Sequence, residues 1–297
     1  MSQDNPPMPN ASLVGETSEA LAARAAAGDG PALAALIERV QDSVYRLSLR
    51  MLWSPDDAQD ASQEVLFKIV TSVATFRGES SFRTWALRVA TNHLLNVRRS
   101  RVEMQSLTFD AFARDLEDGL TDDGDFPARI ADEADQALLE EEVKIGCTQA
   151  MLLCLDRDDR IAYILGDVFE IRSEEAGEIL AIAPAAYRKR LSRARERLRE
   201  FMRAQCGLVT DAARCSCARR VAPAIATQRV DPRRLLFAGH GQPAPKRLPI
   251  LEAVDDMERL HEIAAIHQSH PHVAAPASVT DSIRRVLATG QFRAILS

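Results

Sequence analysis

The sequence predicts an all-α protein built from two small helical domains, and three observations predict it. Apolar residues recur at three-and-four spacing through most of the chain, no segment alternates like a strand, and an acidic stretch divides the helical pattern into two groups. With 297 residues, 46% hydrophobic and 27% charged, the chain has room for two or three such units and can bury a core.

Composition narrows the function classes. A formal net charge of −6 argues against a nucleic-acid binder if that charge is evenly spread. No run approaches the length of apolar sequence that crosses a bilayer, so no membrane partner is expected. Met1–Asn10 has neither the basic nor the apolar block of a signal peptide, and the five cysteines do not read as a disulfide framework. These features point to the cytoplasm. Lysine occurs only at 68, 144, 189 and 246, so the basic residues are nearly all arginine, whose planar fork suits phosphate.

Taken in order, residues 1–17 are polar, carry Pro6, Pro7 and Pro9, and read as a flexible tail. Ser18 can cap a first helix that ends at Gly28-Asp29-Gly30. Pro31 opens a second helix with Leu33, Leu36, Ile37, Val40, Val44, Leu47 and Met51 on one face, broken at Trp53-Ser54-Pro55. A third helix over 56–75 buries Ala58, Ala61, Val65, Leu66, Ile69 and Val73, and a fourth runs from Phe82 to Arg99. These make a domain over 18–101. Residues 102–142 then carry a net charge of −12, and 102–133 read as a solvated acidic linker or interaction segment. The second domain, 134–203, holds helices at 134–153, 157–168, 173–181 and 184–203. An extension over 204–297 has a proline-bearing loop region and expected helices at 250–268 and 279–289.

Two basic segments stand out against the acidic total. Residues 184–203 have a net charge of +6, and 77–101 a net charge of +5. Upstream of the first, Ser173–Leu180 makes a short helix, Ala181-Ile182-Ala183 a tight turn, and Pro184 opens the basic helix. That is a helix-turn-helix with residues 185–193 facing a major groove. An arginine-rich helix can also be a mere solvated face; the turn and the apolar spacing of Ile179, Ile182, Tyr187, Leu191 and Leu198 favour DNA. In the second segment a Gly/Ser loop sits between aromatic and basic side chains, which suits an extruded base. Phe82 reads as core, and Trp85 suits either role.

Here the residues resemble a known family. Arg77-Gly-Glu-Ser-Ser-Phe-Arg-Thr-Trp85 with Arg88-Val-Ala-Thr-Asn92 is similar to the promoter-melting segment of extracytoplasmic-function (ECF) sigma factors. Asp57–Lys68 resembles the helix by which such factors grip the polymerase clamp, and Pro184–Leu198 resembles their reader of the −35 element. The resemblance covers 18–203. It implies that Asp57, Asp60, Gln63, Glu64 and Phe67 face core RNA polymerase. It implies that Arg77, Ser80, Ser81, Arg83, Trp85, Arg88 and Asn92 hold the opened −10 strand of promoter DNA. It implies that Arg188, Lys189, Arg190, Ser192, Arg193 and Arg195 contact the −35 duplex. The acidic linker would pass through polymerase channels that hold nucleic acid, and a separate anti-sigma protein is a candidate partner. Three departures bear on base preference at −35. Ala176-Gly177 stands for the usual Ile-Ala, Ala181 for the usual turn glycine, and Tyr187 for a small β-branched residue. The glycine weakens its helix by roughly 1 kcal/mol.

The extension goes beyond the usual ECF length. Cys206, Cys215 and Cys217 fall within twelve residues, and His240, His261, His267, His270 and His272 follow. A Cys-x-Cys pair can clasp zinc, though a fourth ligand is missing. It can also act as a thiol sensor, with Arg214, Arg219 and Arg220 lowering its pKa. A structural or interaction role is the third reading; Cys147 and Cys154 read as core thiols. Ile250, Val254, Met257, Leu260 and Ala264 make one apolar face, and such helices could pack on the two domains and tune access to polymerase. No nucleophile–base constellation appears, so no enzyme is expected and no catalytic residue is assigned. The alternatives to a sigma factor are a stand-alone helix-turn-helix regulator, which leaves 57–68 and 77–85 unused, and a metal- or thiol-responsive variant of the sigma factor itself.

Overall fold

The computed structural model describes residues 15–97, 107–120, 133–239 and 263–288. Among these, regular structure is helical throughout. The first unit holds α1 (Ser18–Ala26), α2 (Gly30–Leu52), α3 (Pro55–Ser72, extended by a turn over Val73–Thr75) and α4 (Phe82–Asn96). The second holds α6 (Glu133–Leu153), α7 (Arg157–Tyr163, running into a π turn over Ile164–Val168), α8 (Ser173–Leu180) and α9 (Pro184–Gln205), with α5 (Phe109–Asp118) between the two units. The extension adds α10 (Cys217–Ala226) and α11 (Ala277–Ala288).

Side-chain caps set the helix starts. The Ala20 N–H donates to Thr17 Oγ1 at 3.2 Å, so the first cap lies one residue before the expected Ser18. Asp29 caps α2 with Pro31 in its first turn, and Trp53 ends that helix in the left-handed region at φ 50°. Ser54 and Ser81 cap α3 and α4 in the same way. At the far end of α4, the Arg157 guanidinium donates to the carbonyls of Leu94, Leu95 and Val97. A cation on the last carbonyls stabilises a helix end and here fixes the second unit against the first.

The expected apolar faces of α2 and α3 are buried as read, and they share one continuous core with α7, α8 and α9. Arg160 lies at the joint. It is 4% exposed and donates to the carbonyls of Met51, Leu152, Leu153 and Leu155.

Three expectations gain detail. The stretch read as a solvated linker or interaction segment contains α5, whose Phe112 and Leu116 are buried; Phe112 stacks on Phe201 of α9 with centroids 5.5 Å apart. Asp115 of α5 pairs with Arg220 and Arg229 of the extension at 2.9 and 2.6 Å. The apolar spacing of Phe109, Phe112 and Leu116 outweighs the local acidity. The extension packs on both units. Its Phe237 stacks on Trp53 at 4.8 Å, and the Glu142 carboxylate accepts the N–H groups of Leu236, Phe237 and Ala238. Residues 263–268 are helical with Ala264 buried, while Ile250, Val254, Met257 and Leu260 lie outside the described residues.

Candidate polymerase and nucleic-acid interface

The residues expected to face polymerase lie on α3. Asp60, Glu64 and Phe67 are exposed and Asp57 and Gln63 half-buried, while Ala58, Ala61, Val65 and Leu66 point into the core. Phe67, at 47% exposure, is a large apolar side chain left in solvent on a helix that had core positions for it. Gln63 is the exception to this openness, since its Nε2 donates to the Ser278 carbonyl of the extension at 3.0 Å.

Residues 76–81 and the start of α4 form the second surface. Arg77, Ser81, Arg83, Arg88 and Asn92 are exposed and Ser80 is half-buried. Phe82 is fully buried, as expected. Trp85 is half-buried with its ring 5.4 Å from Phe82 and 5.7 Å from Phe76, and it also lines a cleft of about 780 Å³. It is therefore packed on one side and open on the other. Gly78 takes φ +72° and lets the loop turn back over α4.

The helix-turn-helix is formed by α8 and α9. Ala181 holds φ 53° at the turn, a backbone that costs an alanine roughly 1–2 kcal/mol. Gly177 has a packing reason. A Cβ there would stand 2.9 Å from the Ile182 carbonyl oxygen, whereas the bare glycine carbonyl accepts the Ile182 N–H at 3.0 Å. Tyr187 is fully buried and donates to the Ala162 carbonyl at 3.0 Å, so it supports the core and does not reach DNA. The six residues expected at the −35 duplex separate into two groups. Arg188, Lys189 and Ser192 are exposed, with Arg188 at 3.9 Å from Glu174. Arg190 and Arg193 lean on Asp158 and Asp159 at 3.3 and 2.8 Å, and Arg195 is bound through two nitrogens to the buried Asp167. Arg195, expected at DNA, is engaged here in an internal ion pair.

The two basic surfaces meet. Thr84 of α4 donates to Glu175 of α8 at 2.7 Å, and the cleft beside Trp85 is closed by Glu174, Glu178, Ile182 and Pro184. Sequence periodicity carries no signal for this contact, because Thr84 and Glu175 are single polar residues 91 apart in sequence.

The extension brings Cys206, Cys215 and Cys217 together with Cys147 of α6, read as a core thiol: after burial, Cys215 raises the proton affinity of Cys206, and Cys147, Cys206 and Cys215 raise that of Cys217. Burial leads in every case, pushing Cys206 up to about 11 and Cys147 up to about 12. The expected lowering by arginine is overturned at Cys215, where burial outweighs Arg220 and Arg219. Among the described residues, no three Cys, His, Asp or Glu side chains form a group that could hold a metal ion, and all five thiols are free.

Residues 36–103 match the family model for sigma-70 region 2, and residues 145–198 match that for sigma-70 region 4. The ECF RNA polymerase sigma factor SigW of Bacillus subtilis is 30% identical over 178 residues, which cover 59% of this chain and 91% of that protein. This chain belongs to the ECF sigma factor family. SigE, the ECF RNA polymerase sigma factor of Mycolicibacterium smegmatis, is 27% identical over 170 residues, 56% of this chain, and the match spans 60% of that relative's length. A solved structure of the sigma factor RpoE in complex with the anti-sigma factor NepR from Bartonella quintana is similar at a TM-score of 0.37 and 21% identity, covering 56% of this chain and 94% of that one. Both family matches stop short of residue 206, so the extension of this sigma factor lies outside them. Among the described residues no helix is long and apolar enough to cross a membrane.

Proposed function

We propose that this sigma factor binds core RNA polymerase through α3, holds the opened −10 strand with residues 77–92, and reads the −35 duplex with the start of α9. The observation that carries the reading is the coexistence, on one chain, of an acidic and aromatic stripe (half-buried Asp57 with exposed Asp60, Glu64 and Phe67) with two exposed basic segments on different helices. A duplex-binding regulator needs only one of these. On this reading Arg188, Lys189 and Ser192 meet the groove, while Arg190, Arg193 and Arg195 orient α9 through their aspartates. Trp85 and the Ser80-Ser81 loop take unstacked bases, and their binding free energy offsets the few kcal/mol of unpairing. The protein does no chemistry of its own: it is a cytoplasmic initiation factor, and an anti-sigma protein is a further candidate partner.

Run-off transcription with core polymerase on genomic fragments tests this. Discrete start sites that depend on the added protein are expected. Tight binding to duplex DNA with no start sites at any fragment would assign the chain to the stand-alone regulators instead.

A further inference from the structure

Residues 263–288 run along α2 in the opposite direction and meet it about once per helical turn. Arg50 donates to the His267 carbonyl at 2.9 Å and lies 2.9 Å from His270 Nδ1. Arg46 lies 2.6 Å from His272 Nδ1, and Asp42 accepts the Ala275 N–H at 2.9 Å. Glu38 faces Arg284 at 4.0 Å. Positions 38, 42, 46 and 50 form one i,i+4 stripe, so a strand of chain laid along the helix can touch each in turn. α11 then packs across both α3 and α2 and buries Val279 and Ile283. There Gln63 donates to Ser278, and Gln63 shares its helix face with Asp60 and Phe67, three residues before it and four after.

The same segment also grips the second unit. His267 lies 3.1 Å from the Tyr163 hydroxyl and 3.2 Å from the Thr148 carbonyl, and His270 lies 2.8 Å from the Thr148 hydroxyl. Gln268 donates to the Asp167 carbonyl at 2.6 Å. His267 is fully buried and His270 nearly so, which makes this a packed joint and not a surface brush.

We infer that the chain's own residues 263–288, seated on α2 and on α3 at Gln63, border the polymerase-binding face of α3 and overlap it at Gln63, so that this segment and core RNA polymerase compete for that edge. The inference rests on the reading of α3 as the polymerase-binding helix. It has a second consequence. The −10 and −35 elements are about 25 base pairs apart, or about 85 Å of duplex at 3.4 Å per pair. Two units held with α4 against α8 cannot span that distance. Because one segment holds both units, its departure frees Gln63 and the neighbouring edge of α3 and removes a tie between the two DNA-reading surfaces in the same event.

The test compares the full-length chain with a full-length Val279→Asp/Ile283→Asp variant for affinity to core polymerase. Both substitutions lie in the extension and alter none of the residues assigned to polymerase or DNA. The variant is expected to bind about tenfold more tightly, because apparent affinity scales with the fraction of molecules whose surface is free. Equal affinities overturn the competition and leave the sigma-factor reading standing. No binding by either protein overturns both. Should the variant not fold, the wild-type chain decides: saturating core polymerase is expected to make residues 263–288 cleavable by added protease, and unchanged resistance while bound overturns the inference.

Discussion

The two surfaces through which this sigma factor would act stand in different states. The α3 face is touched at Gln63 by the chain's own extension, and α2 beside it is engaged along a whole stripe. The start of α9 keeps Arg188, Lys189 and Ser192 in solvent. On the proposed reading, engaging the edge of the polymerase side while the DNA side stays open would place control at holoenzyme assembly, before any promoter is met.

The comparison breaks most severely at the joint beneath both surfaces. Arg160→Ala leaves four buried carbonyls without their donor and is expected to cost roughly 3–5 kcal/mol, read as a lower urea midpoint. An unchanged midpoint would mean that the two units fold without this tie.

Acid should separate the two surfaces. Burial, then Arg50, pushes His267 down to about 4, and His270 falls well below its ordinary value through burial, Arg50, His267 and Lys144. Tyr163 and Thr148 face the same rings as neutral groups. The docked segment keeps both histidines neutral, while a released segment takes up protons near pH 6.5. Docking is therefore complete above pH 6.5 and weakens as pH falls from there toward about 4, by up to about 3 kcal/mol for His267 alone. Proton resonances of residues 263–288 should broaden or shift over that window while those of 185–193 hold still. Constant spectra from pH 7 to 5 would contradict the assignment of these histidines to the joint.

Within α9 the contrast sharpens between neighbours. Arg195→Ala strands the buried Asp167 and is expected to lower stability by about 2–3 kcal/mol. Lys189→Ala should change stability by less than about 0.5 kcal/mol, yet weaken promoter-duplex binding and reduce its salt dependence by about one phosphate contact. At the turn the sign reverses: Ala181→Gly relieves a left-handed alanine and should raise stability by about 1 kcal/mol in a thermal melt.

Much of this was legible in the chain. The apolar faces of α2 and α3, the turn at Ala181 and the proline at Pro184 are local signals, and local signals specified the helices and the helix-turn-helix. The resemblance at 57–68, 77–92 and 184–198 marked the surfaces. The stripe Glu38, Asp42, Arg46 and Arg50 was also visible as a period of four, but a charged stripe on an amphipathic helix reads as its solvated side. Its partners sit more than two hundred residues away at His267, His270, His272 and Ala275, and nothing local pairs them. Helix α5 was hidden by the acidity around Phe109, Phe112 and Leu116. The ion pair of Arg195 carried no local signal, because its partner Asp167 lies 28 residues upstream in another helix.

The most direct test of self-covering is amide hydrogen exchange of the full-length chain, free and bound to core polymerase. Residues 55–72 should be protected in both states, by the extension first and by polymerase afterwards. Residues 263–288 should be protected when free and lose that protection on binding. Protection of 263–288 that persists in the complex, with 55–72 further protected by polymerase, would show that extension and polymerase do not share the surface and would contradict the account.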